Sequence, residues 1–110
     1  MSDERSPDEA VNYIIRNAGK FAQAKSERVY LEEFRKSKKA ILMSQSDAKT
    51  SAEREQYAYS HAEYLELLDG LKSAVEIEEK LRWEMIAAQA RVEIWRTRSA
   101  NNRAQDRAAQ

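Results

Sequence analysis

The sequence contains no cysteine, and its 110 residues include only one proline and two glycines. Without cysteine the chain has neither a disulfide framework nor a thiolate zinc site, so the composition does not predict a secreted protein. The scarcity of proline and glycine removes the residues that most often interrupt helices. Because 35% of the residues are charged as well, the composition favours helix over strand. We predict one all-α domain over residues 1–110.

Long apolar runs are also missing, since the longest extend over only a few residues. A membrane-spanning helix needs about 20 apolar residues. The N-terminal segment, MSDERSPDEA, is polar and acidic, unlike the basic and apolar segments of targeting peptides. We expect a cytoplasmic protein that does not contact a membrane.

Net charge gives no support for a nucleic-acid partner, because 19 basic and 19 acidic residues cancel. The distribution is uneven, however: residues 1–9 carry four carboxylates against one arginine, and residues 53–69 are also acidic. Nine of the 19 basic residues form two clusters. The C-terminal cluster is Arg91, Arg96, Arg98, Arg103 and Arg107, and the tip cluster is Arg35, Lys36, Lys38 and Lys39.

Capping signals predict two long helices. Ser6 stands before Pro7 and three residues before Glu9, the pattern of a capping box with proline at the first helical position. We predict helix 1 over about residues 7–45 and a turn over about residues 45–50, where the chain is polar. Thr50 and Glu53 repeat the capping pattern.

We predict helix 2 over about residues 51–101 and a tail over residues 102–110, because Asn101 and Asn102 form a plausible helix stop. Asp69 and Gly70 offer an alternative, in which helix 2 is split in two. Two helices of ~45 residues would each be nearly 70 Å long at ~1.5 Å per residue. A lone hairpin of that length buries one thin seam and is marginally stable, so it requires a partner, most simply a second copy.

Helical periodicity predicts the seam of the hairpin. Its helix 2 side, interrupted by Glu78, Arg82 and Gln89, is Tyr64, Leu67, Leu68, Leu71, Ala74, Val75, Leu81, Met85, Ile86 and Val92. Its helix 1 side is Val11, Ile14, Ile15, Ala18, Phe21, Ala22, Leu31, Phe34 and Ile41, with a slip of phase where Lys25, Ser26 and Arg28 fall.

A second stripe lies on another face of helix 2 and consists of Trp83, Ala87, Ala90 and Ile94, spaced four, three and four residues apart. One helix partner cannot cover both stripes. Single exposed apolar residues are common on protein surfaces, which is the alternative explanation. Four in register instead indicate an oligomer interface, and we predict that a long antiparallel, coiled-coil-like hairpin assembles into a homodimeric four-helix bundle.

Catalytic or metal-binding chemistry has little support. His61 is the only histidine and has no cysteine to pair with, and its spacing to Glu63 and Glu66 matches no metal motif. We expect a solvated or packed histidine, and no catalytic residue, metal, cofactor or small-molecule substrate. Acid–base roles for Glu76, Glu78 and Glu79 are less favoured than pairing with Lys80 and Arg82 along the helix. For Tyr57, Tyr59 and Tyr64, packing against Phe34 and Ile41 is favoured over base stacking.

The C-terminal cluster is the strongest indication of a function in the sequence. Five arginines near one helix end can bind phosphates without base specificity and with strong salt dependence. The tip cluster would supply a second contact point. Alternatively, an antiparallel hairpin places the C-terminal cluster beside the acidic N-terminus, and the opposite charges neutralise each other. Cationic side chains near a helix C-terminus are also stabilised by the helix dipole. Both explanations stay open.

Several segments of helix 2 resemble a family of small helical bacteriophage and prophage proteins. They are Leu81-Arg82-Trp83, Ala87-Ala88-Gln89-Ala90, Glu93-Ile94-Trp95-Arg96 and Ala100-Asn101-Asn102-Arg103, preceded by Tyr57, Tyr64, Leu68 and Gly70-Leu71. The resemblance covers about residues 34–103. It implies a phage origin among early-region genes of DNA replication and recombination, and it assigns no catalytic residues.

From these features we expect a non-enzymatic phage accessory protein in the cytoplasm of a bacterial host, which binds DNA or RNA through the two basic clusters. The first alternative is a module that docks on a phage or host DNA-processing enzyme through an apolar helix face. A virion assembly adaptor is a third possibility.

Overall fold

Three α-helices make up almost all of the computed structural model, which describes residues 6–109. Helix α1 spans Pro7–Gln45, α2 spans Ser51–Ser60 and α3 spans Ala62–Ala109. No strand occurs in this range, so the prediction of an all-α protein is confirmed. No helix of the described range has an apolar stretch suited to crossing a bilayer.

The helix starts follow the capping patterns in the sequence. The Ser6 hydroxyl accepts a hydrogen bond from the backbone N–H of Glu9 at 3.2 Å. The Thr50 hydroxyl accepts one from the N–H of Glu53, also at 3.2 Å, from an extended backbone conformation. Both contacts satisfy amides that have no partner inside the first helical turn. They explain why α1 and α2 begin where they do.

The chain divides into two compact units. The hairpin unit is Ala22–Glu79, and the terminal unit joins α1 up to Phe21 with α3 from Lys80 onward. Within the hairpin unit, Lys39 contacts Glu55, Lys38 contacts Glu63 and Arg28 contacts Glu78. The partner's number rises as the number in α1 falls. The two arms of this unit are therefore antiparallel.

The predicted single helix 2 is wrong, because the helix breaks at His61 rather than running through from Ser51. His61 adopts an extended backbone conformation, with φ −69° and ψ 139°, and its N–H donates to the Ala58 carbonyl. Its ring Nδ1 accepts the N–H of Glu63 at 3.1 Å, in the manner of an N-terminal cap. The alternative break at Gly70 is also wrong, since α3 passes through that residue without interruption.

The predicted stop at Asn101 is a further error, because α3 continues to Ala109. Asparagine has only a modest cost in a helix interior. Neither Asn101 nor Asn102 is followed by a glycine or proline that would end the helix. The segment expected as a tail is therefore helical, and this fixes the spacing of its arginines.

The predicted slip of phase in α1 does not occur. In the hairpin unit, residues that are buried or half-buried include an unbroken series with alternating spacings of four and three, namely Ala24, Arg28, Leu31, Arg35, Lys38 and Leu42. Its counterpart in α3 is Tyr64, Leu67, Leu71, Ala74 and Glu78. This is the spacing of a coiled-coil seam. Charged residues occupy seam positions instead of shifting the seam.

The best buried cluster lies near the turn of the hairpin unit. Leu42, Ala58 and Tyr64 are buried together, with Met43 and Leu68 packed against them. Leu42 is the only large side chain of the described residues that is fully enclosed. The sequence interpretation favoured Ile41 for this position, but Ile41 is 44% exposed.

Candidate nucleic-acid interface and apolar stripe

The C-terminal cluster lies on one continuous helix. Arg96, Arg98, Arg103 and Arg107 are exposed, while Arg91 is half-buried and has a partner. At ~100° per residue, Arg96, Arg103 and Arg107 fall within about 40° of one another and span about 16 Å along the axis. Arg91 and Arg98 share a second face. The helix thus arranges the five arginines in two rows.

Few of these arginines are neutralised within the described range. Arg96 lies 3.2 Å from Glu93, an exposed pair one helical turn apart, and such pairs are weak in water. Residues 6–109 provide no ion pair for Arg98, Arg103 or Arg107. Of the acidic residues expected to neutralise them, Asp8 and Glu9 form no ion pair with these arginines in the described range, and Asp3 and Glu4 lie outside it.

The tip cluster is mostly occupied by contacts within the hairpin unit. Lys38 lies 2.7 Å from Glu63, Lys39 lies 2.8 Å from Glu55, and Lys36 lies 3.5 Å from Glu33. The Lys39 ammonium also lies 4.7 Å from the centre of the Tyr59 ring. These contacts leave the tip cluster with much less free positive charge than the C-terminal cluster.

The ion pairs of the tip cluster affect titration in the directions that opposite charges impose. The hydrogen bond from Lys39 lowers the pKa of Glu55, and the hydrogen bond to Glu55 raises the pKa of Lys39. The hydrogen bond from Lys38 likewise lowers the pKa of Glu63. In each case the charged form is favoured by an opposite charge. These residues serve the fold of the hairpin unit.

The tyrosines near the turn are only partly where the sequence predicted. Tyr64 is buried against Leu42, whereas Tyr57 and Tyr59 are 40% and 43% exposed. The Tyr59 ring meets the Tyr64 ring edge-on, with centroids 5.3 Å apart. Phe34, an expected partner, instead stacks on Tyr30 at 5.8 Å. The prediction that Tyr64 packs across the hairpin is therefore correct, but the residue it packs against is Leu42.

The second stripe is exposed on α3 in the terminal unit. Trp83 is 58% exposed and Ile94 is 50% exposed, and the two alanines between them are exposed as well. The Arg82 guanidinium lies 4.9 Å from the centre of the Trp83 ring and covers part of it. Nothing in the described range buries this stripe.

The terminal unit has very little core of its own. Among its described residues, the only two that are buried are Ala10 and Ala88. Exposed apolar side chains occur on both of its helices, including Val11 at 42%, Ile15 at 68% and Ile86 at 37%. The sequence interpretation placed these three in the seam. Their exposure enlarges the apolar surface available to a partner.

Glu78 and His61, which the sequence singled out as candidates for chemistry, have structural roles. Glu78 is 8% exposed and is paired with Arg28 on α1, so its predicted pairing along the helix is wrong. His61 caps α3 and lies 3.8 Å from a Glu63 oxygen. Residues 6–109 contain no group of three or more metal-ligating side chains.

An open groove of about 320 Å³ lies in the hairpin unit and is lined by Leu31, Phe34, Lys38, Glu63, Glu66, Leu67 and Gly70. Its floor is apolar, and the charged pair Lys38–Glu63 is at its edge. Both charges of that pair are already satisfied by each other. Glu66 is the one other charged residue of the lining, so the groove lacks the convergent polar groups that orient a small ligand.

Trp95 is the residue that the sequence interpretation missed. It is 52% exposed on α3, close to the arginines of the C-terminal cluster. Trp95 continues the series Leu81, Met85, Ala88 and Val92 by three residues. Such a position in the series is typical of a buried residue, but from Glu93 onward every described residue except Ser99 is exposed.

No protein-family model, curated protein or solved structure matches the chain.

Proposed function

We propose that this chain is a non-enzymatic accessory protein of bacteriophage DNA replication or recombination, acting in the cytoplasm of a bacterial host. In this proposal it binds DNA mainly through the phosphates, by means of the C-terminal cluster on α3. The phage setting rests on the sequence resemblance of residues 34–103. The DNA binding rests on the geometry of the arginines.

The observation that carries the proposal is the row Arg96, Arg103 and Arg107 on an exposed helix. Guanidinium groups on one face, spread over about 16 Å, suit successive phosphates of a nucleic-acid backbone. Each contact releases bound counterions, which favours binding at low salt. The row consists of arginines alone, and their spacing along one helix face matches phosphates rather than a pattern of base edges, so we propose backbone binding without sequence specificity.

The tip cluster has a smaller part in this proposal. Lys38 and Lys39 are held by carboxylates, and a phosphate would have to displace Glu63 and Glu55 to reach them. Arg35 and Lys36 have fewer constraints and can add weak electrostatic attraction. We assign the main contact to the C-terminal cluster alone.

The test measures DNA binding over a range of salt concentrations. The readout is the fluorescence anisotropy of a labelled duplex. Replacing Arg96, Arg103 and Arg107 with alanine should weaken binding and reduce the slope of log K against log salt by roughly 0.9 for each phosphate that is no longer neutralised. A matched control replaces the exposed residues Lys20, Lys49 and Lys72, which removes the same charge elsewhere. Equal weakening in both variants would show a general charge effect and contradict the proposed site.

We also propose that a second copy covers the second stripe and completes a four-helix bundle. The terminal unit buries only two alanines, so the exposed Trp83 and Ile94 of the second stripe require a cover for stability. The net charge of zero means that two copies do not repel each other overall. Sedimentation equilibrium of the unmodified chain measures the oligomer directly.

A second candidate function is docking on a phage or host DNA-processing enzyme through the same stripe. It is favoured by the 58% exposure of Trp83, since exposed aromatic side chains are common anchors of protein interfaces. A virion adaptor would use the same surface. A monomeric chain in sedimentation equilibrium would favour these alternatives over the dimer.

A further inference from the structure

Trp95 lies among the arginines of the C-terminal cluster. Arg91 precedes it by four residues and Arg98 follows it by three, so both occupy the same side of α3 as its indole ring. Asn102 lies about two helical turns beyond Trp95 on this side. The α3 surface around Trp95 therefore combines an aromatic ring, two guanidinium groups and a polar amide.

The two tryptophans of α3 differ in how their rings are covered. The Trp83 ring has the Arg82 guanidinium 4.9 Å from its centre. Trp95 has no ring contact of this kind within the described residues, and 52% of it is exposed. The Trp95 ring is thus open to an external group, and that group must tolerate nearby positive charge.

Charge decides between the possible occupants of this surface. The C-terminal cluster gives this surface an excess of positive charge, which an apolar partner face would leave unneutralised and a basic partner face would oppose. A polyanion has the opposite effect, because its phosphates neutralise the guanidinium groups. The occupant should therefore carry both phosphates and flat apolar faces.

The chemistry of indole favours single-stranded over double-stranded nucleic acid as the ligand. An indole offers one N–H donor and a broad ring face, which poorly match the donor and acceptor patterns in a duplex groove. In a duplex the base faces are already stacked on their neighbours. An unpaired base exposes its face, and aromatic side chains bind such faces regardless of sequence.

We infer that the C-terminal part of α3 binds single-stranded nucleic acid, with Trp95 stacking on an unpaired base while the exposed Arg98 binds an adjacent phosphate. This inference rests on the proposed function and specifies its ligand. It assigns separate tasks to the two arginine faces. The row of Arg96, Arg103 and Arg107 attracts the phosphate backbone of the nucleic acid, and the Trp95 face provides the preference for unpaired bases.

The experiment uses the full chain with Trp83→Phe, so that tryptophan fluorescence reports on Trp95 alone. Three probes of equal length, about 20 nucleotides, are titrated at low salt: oligothymidylate, an abasic strand and a duplex. Oligothymidylate should quench the fluorescence and bind about 10-fold more tightly than the abasic strand, which has the phosphates without bases. Oligouridylate in a parallel titration distinguishes RNA from DNA as the preferred source.

With the fluorescence anisotropy of labelled probes as the readout, Trp95→Ala should reduce oligothymidylate affinity to that of the abasic strand and leave duplex affinity unchanged. Trp95→Phe should retain most of the preference. Equal binding of oligothymidylate and the abasic strand, with no effect of Trp95→Ala, would overturn the stacking role but leave phosphate binding intact. Absence of binding to every probe would overturn the proposed function as well. A change in oligomeric state in Trp95→Ala would place Trp95 in a contact between copies and overturn this inference.

Discussion

Arg28 of α1 donates hydrogen bonds to both carboxylate oxygens of Glu78 on α3, from Nε to Oε1 and from Nη2 to Oε2, the latter at 3.1 Å. Glu78 is the only charged residue that is buried in the described part of the chain. Both residues interrupt an otherwise apolar pattern in the sequence. Their pairing shows that the two interruptions belong together, because each supplies the charge that the other requires in the seam.

The two partners of this pair should respond differently to mutation. Arg28→Met leaves the Glu78 carboxylate buried without a cation, whereas Glu78→Gln leaves Arg28 with its second partner, Glu32, at 3.1 Å. We therefore expect Arg28→Met to lower the melting temperature more than Glu78→Gln does. The double variant Arg28→Met with Glu78→Leu should recover most of the stability, since an apolar pair suits the seam. A double variant as unstable as Arg28→Met alone would contradict this account.

The ion pairs predict how stability depends on pH. Hydrogen bonds from Arg28, Lys38 and Lys39 lower the pKa values of Glu78, Glu63 and Glu55. An unperturbed glutamate has a pKa of about 4.3. Because the pKa values are lower in the folded state, the unfolded chain binds more protons than the folded chain near that pH. These contributions are therefore present above that pH and are lost as the pH falls through the folded pKa values.

Thermal unfolding followed by circular dichroism across acid pH measures this effect. We expect a decline in the melting temperature below about pH 4.3, with a shallower decline in Glu78→Gln because that variant lacks one of the three carboxylates. The control is Glu76→Gln, a change at an exposed site on the same helix. Identical pH profiles for Glu78→Gln and the unmodified chain would show that the pair does not contribute.

Two adjacent residues test the core of the hairpin unit. Leu42 is fully buried, while Ile41 is 44% exposed. Leu42→Ala should lower the free energy of unfolding by about 2–5 kcal/mol, since it removes buried apolar surface and leaves a cavity. Ile41→Ala should cost no more than about 1 kcal/mol. Urea unfolding measures both, and a larger decrease at Ile41 would reverse the register assigned to α1.

Gly70 provides a test of helix continuity. It lies inside α3 without a positive φ, and a Cβ atom added there meets nothing within 4 Å. Gly70→Ala should therefore stabilise the protein by about 1 kcal/mol, because alanine has the higher helix propensity. Gly19→Ala is the matched comparison on α1, where the added Cβ is equally free. Destabilisation at Gly70 alone, measured by urea unfolding, would indicate that the helix bends there.

How much the sequence predicted depends on the range of each interaction. The starts of α1 and α2 depend on contacts between Ser6 and Glu9 and between Thr50 and Glu53, which are local and readable. The break at His61 depends on its ring capping Glu63, which residue type alone does not reveal. The continuation past Asn101 likewise reflects a weak propensity that the preceding helix overrides.

The register of the seam is a different kind of problem. Leu42 and Ile41 are both apolar neighbours, and either fits a wide apolar face until the position of the opposing helix is known. The same holds for Ala10 beside Val11. For Glu78 the sequence offered partners nearby on the same helix, whereas the actual partner is 50 positions away. Composition and spacing identified the arginines and the second stripe. Which basic residues form ion pairs depends on their neighbours in the folded chain, which the sequence alone does not show.

The proposed dimer leads to the last prediction. Trp83 is 58% exposed on the second stripe, and replacing it with glutamate would place a charge in an interface made of alanine and isoleucine. Trp83→Glu should therefore shift the chain from dimer to monomer in sedimentation equilibrium. Trp95→Glu is the matched control, because it makes the same change about three helical turns away on a different face.

The control should keep the dimer while weakening nucleic-acid binding, so the two variants separate self-association from ligand binding. Trp83→Glu should also lower the melting temperature, because the terminal unit buries only Ala10 and Ala88 without its partner. If Trp83→Glu sediments like the unmodified dimer, the second stripe is not the contact between copies. Dissociation by Trp95→Glu instead would move that contact to the arginine-bearing end of α3.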